Sequence, residues 1–472
     1  MTNLTVTILT PLFNGIEYFK ECYDSVMNQT DNEWKWIIGV NGHGDASNPL
    51  FTMLKNVIRD ERIFIMNFDT KGKVNTLNAM MKHVTTEYIC ILDCDDIWLP
   101  EKLSFQKMVL KENPFIDVLG TSCQYIGELN HVLEIPEGKV SMDRLFEVNP
   151  LVNSSVIMRT SLAVWEDRFG LEDYDLWFRL CMEDKKLFVV NKPFILHRIH
   201  KESAFNSSGV QNRSGLLDYY KKKLTDITIV SAFFPMKSKY STVEYINWMA
   251  HFWGSVDCNL VFFTDEDVGP LITSIRSKYA EKTKVITMKF DECNAYKKYG
   301  KQFWMNEEKK DFENCHSPDL YAIWYEKKEF VLKVIAENYF NTNKFVWMDA
   351  GICRSDSWIS SLKRFYSYRI PDNSFLIMKI TDFETIEDLS QKNSVGGGIL
   401  CGTKEKWNQF SEMYDDTLQN FVKENKFVGK DQTLIATMFK KNPSFFKLLT
   451  KPDYWERDMA WFGLLFYLAG AI

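Results

Sequence analysis

The stretch Cys90-Ile91-Leu92-Asp93-Cys94-Asp95-Asp96-Ile97-Trp98-Leu99-Pro100-Glu101-Lys102-Leu103 is an apolar strand that ends abruptly in three carboxylates. Like charges this close raise one another's pKa, so they stay ionised most easily around a divalent cation. The Asp-x-Asp spacing sets two hard oxygen donors on one side of an extended turn, which suits Mn²⁺ or Mg²⁺ holding a diphosphate. The ordinary alternative is a solvated turn in which Asp96, with Pro100, caps the next helix.

Working outward, residues 4–10 form an apolar strand pattern, followed by the turn Pro11-Leu12-Phe13-Asn14-Gly15 and a helix from Ile16 to Asn28. A strand from Trp34 to Val40 runs into Asn41-Gly42-His43-Gly44-Asp45. A helix near residues 49–60, a strand from Ile63 to Asn67 and a helix from Val74 to His83 lead to the acidic strand. Strands alternating with helices imply parallel βαβ units, whose ligands bind beyond the C-terminal strand ends. There Asn14, Asp45, Asp93 and Asp95 would gather, with Pro11 and Asn41 as further donor-binding candidates. At Leu224 the lysine-rich run gives way to a new strand, Asp226 to Phe234, and the pattern restarts with strands Asn259 to Phe263, Lys344 to Met348 and Ser374 to Met378. The expectation is two α/β Rossmann-like domains in tandem, residues 1–224 and 225–472, each a mostly parallel sheet flanked by helices.

The chain has 472 residues, 45% hydrophobic and 15% aromatic, enough for two cores. A formal net charge of −6 gives no global attraction for nucleic acid, which is excluded as a partner. Ten scattered cysteines imply reduced thiols in a cytoplasmic protein, and the N-terminus reads as a first strand, not a signal peptide. The apolar run Met459 to Ile472 is shorter than the ~20 residues that span a bilayer. It reads as a buried final helix, with peripheral association at the inner face of a membrane as the other use of such a segment. Oligomeric state is left open.

Several motifs in order resemble the family 2 glycosyltransferases over residues 4–210. They are Ile8-Leu-Thr-Pro-Leu-Phe-Asn-Gly15, Asn28-Gln29-Thr30, the Asp93 to Leu103 segment, Glu172-Asp-Tyr-Asp-Leu-Trp-Phe-Arg179 and His197-Arg-Ile-His200. The resemblance implies the GT-A fold, an inverting reaction, a nucleotide-diphosphate sugar donor of the UDP type with Mn²⁺ or Mg²⁺, and a glycan or glycolipid acceptor. Asp93 and Asp95 would hold metal and donor, with His200 as a later metal contact. Glycosyl transfer needs a carboxylate opposite the leaving group to take the acceptor's proton. Asp173 is the expected base, at a helix start that favours an anion, with Glu172 as the runner-up. Lys73 and Asn75 resemble the segment approaching the nucleotide. One departure stands out: the family's acidic pair reads Val40-Asn41 here, leaving nucleotide identity open.

Residues 228–439 resemble the HtrL/YibB-type proteins, which look like GT-A glycosyltransferases. The matching motifs include Leu260-Val-Phe-Phe-Thr-Asp265, Phe345-Val-Trp-Met-Asp-Ala-Gly351, Gly396-Gly-Gly-Ile-Leu-Cys-Gly402 and Gly429-Lys-Asp-Gln-Thr433. Strands ending in Asp265 and Asp349 would bring carboxylates to one sheet edge, with Asp349 the best metal or donor residue. Gly397 would let a ligand approach the backbone, and Asp431 either meets donor or caps its helix. The expected function is a bifunctional transferase building a surface polysaccharide or glycoconjugate; the alternative is one active transferase joined to a non-catalytic acceptor-binding module. A nucleotidyltransferase would need a basic Gly-rich loop near residues 11–15, which is absent.

Overall fold

The computed structural model describes residues 4–42, 49–69, 71–201, 211–311, 313, 316–387, 389, 393–450 and 461–471. The chain divides into two compact units, residues 1–220 and 221–472.

In the first unit the strands are β1 (Val6–Leu12), β2 (Trp34–Asn41), β3 (Ile63–Phe68), β4 (Tyr88–Ile91), β5 (Ile97–Trp98), β6 (Val118–Gly127), β7 (Gly138–Lys139), β8 (Ile157–Arg159) and β9 (Leu187–Ile199). They form one sheet in the order β3-β2-β1-β4-β8-β6-β9-β5, with β7 on β9. The long ladders are parallel: Ile8 lies opposite both Trp36 and Cys90. Antiparallel pairing is confined to short contacts of β8, β5 and β7. Alternate residues Val6, Ile8, Trp34, Trp36, Ile38, Tyr88 and Cys90 point into one core, as the two-residue period of a strand requires.

The second unit repeats the plan with β10 (Ile227–Phe233), β11 (Asn259–Thr264), β12 (Thr283–Thr287), β13 (Lys344–Met348), β14 (Phe375–Lys379), β15 (Val395–Thr403) and β16 (Phe446–Leu449). Their order is β12-β11-β10-β13-β15-β14-β16. The β10 and β13 strands are buried on both faces: Phe345 and Trp347 enter one core, Val346 and Met348 the other. Such strands read as unbroken apolar runs. In both sheets the order reverses between the first and fourth strands, so the ends of β1 and β4, and of β10 and β13, are switch points where ligands collect.

Two sequence readings shift, and a third holds. The helix placed at Tyr174 begins at Glu172 and runs to Met182, so Asp173 lies in its first turn. Asp96 caps no helix: it is fully buried, its carboxylate pairs with His197 (2.9 Å) and accepts the Arg198 N–H (2.9 Å), while Ile97 and Trp98 pair with β9. The final apolar run holds a helix, Gly463–Leu468, whose Leu464, Leu465 and Leu468 are buried in the core. No helix of the described residues is long and apolar enough to cross a membrane.

Candidate active site

The acidic turn of the first unit is held from below. Buried Gln29 donates to the Leu99 carbonyl (2.8 Å) and accepts the Leu103 N–H (3.1 Å), clamping the segment after the acids to the end of the first helix. Gly15 adopts a left-handed φ of 86°, and a Cβ there would meet Cys94 Sγ at 3.1 Å. The Cys94 thiol reaches the Asn14 carbonyl at 3.3 Å. The Pro11 to Gly15 turn therefore lies against the acidic turn, as parallel pairing of β1 and β4 dictates.

From here the three acids take separate partners. Asp93 is bonded by Lys73 (2.9 Å to Oδ1, 3.0 Å to Oδ2) and by the Asn153 amide (3.2 Å). Burial pushes its carboxyl up, but Lys73, Asn153 and His197 outweigh that and leave it below the usual range. Asp95 faces His200, Nε2 to Oδ2 3.2 Å. Burial, then Asp96 and Asp93, push the Asp95 carboxyl up to about 6. A carboxylate beside an imidazole is a donor set that fits Mn²⁺. Among the described residues no three such side chains converge as a ready-made cage, and Asp93 is held by Lys73.

Lys73 also reaches Glu172 (3.1 Å), so one ammonium joins the end of β4 to the start of the helix Glu172–Met182. Asp173, next along, accepts the Asn149 amide (3.2 Å) and the Tyr174 N–H (2.7 Å). Burial, then Glu172, push its carboxyl up to about 6. Asp175 is fully buried between Arg168 and Arg179 (2.8 Å each) and accepts the Tyr220 hydroxyl, a structural post for the helix. Asn41 is buried and accepts the Gly72 N–H (3.3 Å), fixing the turn that delivers Lys73; Asn75 is exposed on the helix Lys73–Met81 and Asp45 lies outside the described residues. The Lys73 bridge to Glu172 and the amides Asn149 and Asn153 escaped sequence reading, since nothing local ties them to the acids.

The second unit builds a related bridge. Lys327, on the helix Pro318–Glu337, bonds Asp431 Oδ2 (2.9 Å), Asp349 Oδ1 (3.3 Å) and the Gly397 carbonyl (2.8 Å). Asp349 follows β13 as Asp93 follows β4, and Asp431 opens a helix, as Glu172 does. Sequence reading missed Lys327; the available signal was its helical spacing from the apolar residues Ile323, Phe330 and Val331, which puts it on the buried face, where a charge needs partners. Gly397 does not leave backbone open to a ligand: a Cβ there would meet Asp431 Oδ2 at 2.7 Å, so its missing side chain makes room for that carboxylate. Asp265 accepts the Val268 N–H (2.8 Å) in the turn before the helix Gly269–Ile275, and is not among the residues lining the cleft at Asp349.

Carboxylates at the switch point of an α/β sheet, with a bridged acid at a helix start, form a candidate ligand site. Residues 225–465, just over half of the chain, match the family described as bacterial protein of unknown function (HtrL_YibB), and the chain belongs to that family; residues 7–151 match glycosyl transferase family 2. An uncharacterised glycosyltransferase of Methanocaldococcus jannaschii is 25% identical over 58% of this chain and 95% of its own length. A UDP-Glc:alpha-D-GlcNAc-diphosphoundecaprenol beta-1,3-glucosyltransferase, WfgD, of Escherichia coli is 27% identical over 44% of this chain and 81% of its own. The chain is a glycosyltransferase. Among solved structures, S. aureus TarS 1-349 in complex with UDP-GlcNAc is 13% identical with a TM-score of 0.38, over 70% of this chain and 83% of that one.

Proposed function

We propose that the first unit transfers a sugar from a nucleotide-diphosphate donor, of the UDP type, to a glycan or glycolipid acceptor with inversion at the anomeric carbon, and that it does so with a divalent metal. The observation that carries this reading is the Lys73 bridge, which ties Asp93 at the donor side to Glu172 beside Asp173. The E. coli relative's UDP-glucose donor and lipid-diphosphate acceptor support the substrate classes.

In this reading the acceptor hydroxyl attacks the anomeric carbon, the bond to the diphosphate breaks, and the proton passes to Asp173. Asn149 and the Tyr174 N–H hold that carboxylate in place, and its raised pKa makes it a stronger base than an ordinary aspartate. Asp95 and His200 would hold the metal, which when bound supplies positive charge for the leaving diphosphate. Removing divalent ions with EDTA should abolish transfer from UDP-sugars, and Mn²⁺ should restore it. Full activity in EDTA, measured as UDP release, would refute metal dependence.

The other reading, two transferase centres in one chain, would place the second centre at the Lys327–Asp349–Asp431 bridge in the second sheet. Asp349→Ala separates the two. Loss of one of two product linkages is expected for a bifunctional enzyme, and retention of every linkage marks a single centre.

A further inference from the structure

The strand-four turns of the two units differ in one respect. Asp93-Cys94-Asp95 offers two carboxylates, whereas Asp349-Ala350-Gly351 offers one. The space a side chain at 351 would need is taken: a Cβ on Gly351 would lie 2.6 Å from the Tyr245 ring and 3.2 Å from Trp248. Tyr245 packs edge-on against Trp248 with ring centroids 5.4 Å apart, and Arg354 donates to the Gly351 carbonyl (3.2 Å), fixing the turn beneath the ring. An aromatic wall thus stands where the first unit has its second acid.

Beside it lies an open cleft of about 110 Å³ at the ends of β10 and β13. Trp324 and Lys327, one turn apart on the helix Pro318–Glu337, line one side, with Tyr245, Trp347 and Asp349 also in its walls. Lys327 is the only cation among the lining residues, and its three N–H donors match its three partners, Asp431, Asp349 and the Gly397 carbonyl. It has no donor left for a phosphate. Asp349 spends Oδ1 on Lys327 and on the Trp347 indole N–H (2.7 Å), while Oδ2 has no hydrogen-bond partner among the described residues and its side chain is 41% exposed.

We infer that this cleft binds an uncharged sugar ring without a metal, its hydroxyls donating to Asp349 Oδ2 and its C–H face lying on Trp324 or Tyr245. Aromatic faces with one open carboxylate oxygen are complementary to a polyol. A nucleoside diphosphate would bring two or more negative charges to a cleft whose described lining residues offer no free cation and no paired acids to hold a metal. The inference is independent of the transfer reaction proposed for the first unit, because it is read as binding without turnover.

The test is calorimetric titration of the full chain in EDTA with lactose, cellobiose and N,N′-diacetylchitobiose. At least one should bind saturably. Trp324→Ala should weaken that binding by about ten-fold, the usual cost of truncating an aromatic anchor, and Asp349→Asn, which keeps side-chain size, should weaken it with an unchanged melting curve. Should Trp324→Ala fail to fold, Asp349→Asn alone decides. Failure of all three sugars to bind, or binding that Asp349→Asn leaves unaltered, overturns the inference. So does Mn²⁺-dependent binding of UDP that survives Asp95→Ala in the first unit and disappears when Asp349→Asn is added.

Discussion

Asp95→Ala is expected to lower sugar transfer by roughly 10³-fold, the scale seen when one group stabilising transition-state charge is removed. The folded protein should survive the change. Asp95 is partly exposed, and its carboxyl is pushed up to about 6 by burial and by Asp96 and Asp93, so removing it relieves repulsion. His200 loses its 3.2 Å partner, and with it the pair of donors that fits a divalent ion. Activity measured beside a thermal melt decides the matter: loss of turnover with an unchanged or higher melting temperature supports the assignment. Near-normal turnover with saturating Mn²⁺ would remove Asp95 from the metal site.

Asp173→Asn should reduce transfer by roughly 10²-fold or more, because an amide accepts hydrogen bonds but cannot take the acceptor's proton. Donor affinity should persist, since Asp95 and His200 are untouched. The pH dependence follows from the raised pKa. A base must be ionised, so wild-type activity should fall as pH drops through about 6, where Asp173 takes up its proton. Asp95 titrates in the same range without metal, so the profile is read at saturating Mn²⁺, which holds that carboxylate ionised. The stability consequence runs the other way. A carboxyl whose folded pKa lies above its unfolded value contributes stability below the unfolded pKa, near 4, and loses it as pH rises through about 6. At pH 7 to 8 the ionised side chain is a net cost, and Asp173→Asn should therefore not lower the melting temperature. A variant that transfers at the wild-type rate, or loses donor affinity in proportion to rate, would move the base to Glu172, whose salt bridge to Lys73 makes it the next side chain to test.

Much of the fold was legible because its strands are buried on both faces. Lys344 to Met348 reads as a strand in the sequence and is one in the structure, since a strand covered by helices on both sides admits apolar residues without interruption. Helix starts were less legible. The helix at Glu172 opens with three acids, and first-turn acids are favourable whether or not they do chemistry, so neither its first residue nor the separate fates of Glu172, Asp173 and Asp175 could be read locally.

What the sequence by itself determined was therefore the order of strands and helices and the clustering of acids where an apolar run stops, because both are properties of neighbouring residues. Which acid meets which cation was decided only by the tertiary structure. Lys73 lies far along the chain from Glu172, and Lys327 from Asp431; each lysine meets its partners only because helices pack against the sheet beside the end of its fourth strand. The same packing turned Gly397 into space for a carboxylate and Gly351 into the floor beneath Tyr245. A glycine in a sequence announces missing volume, and only the folded chain shows what occupies it.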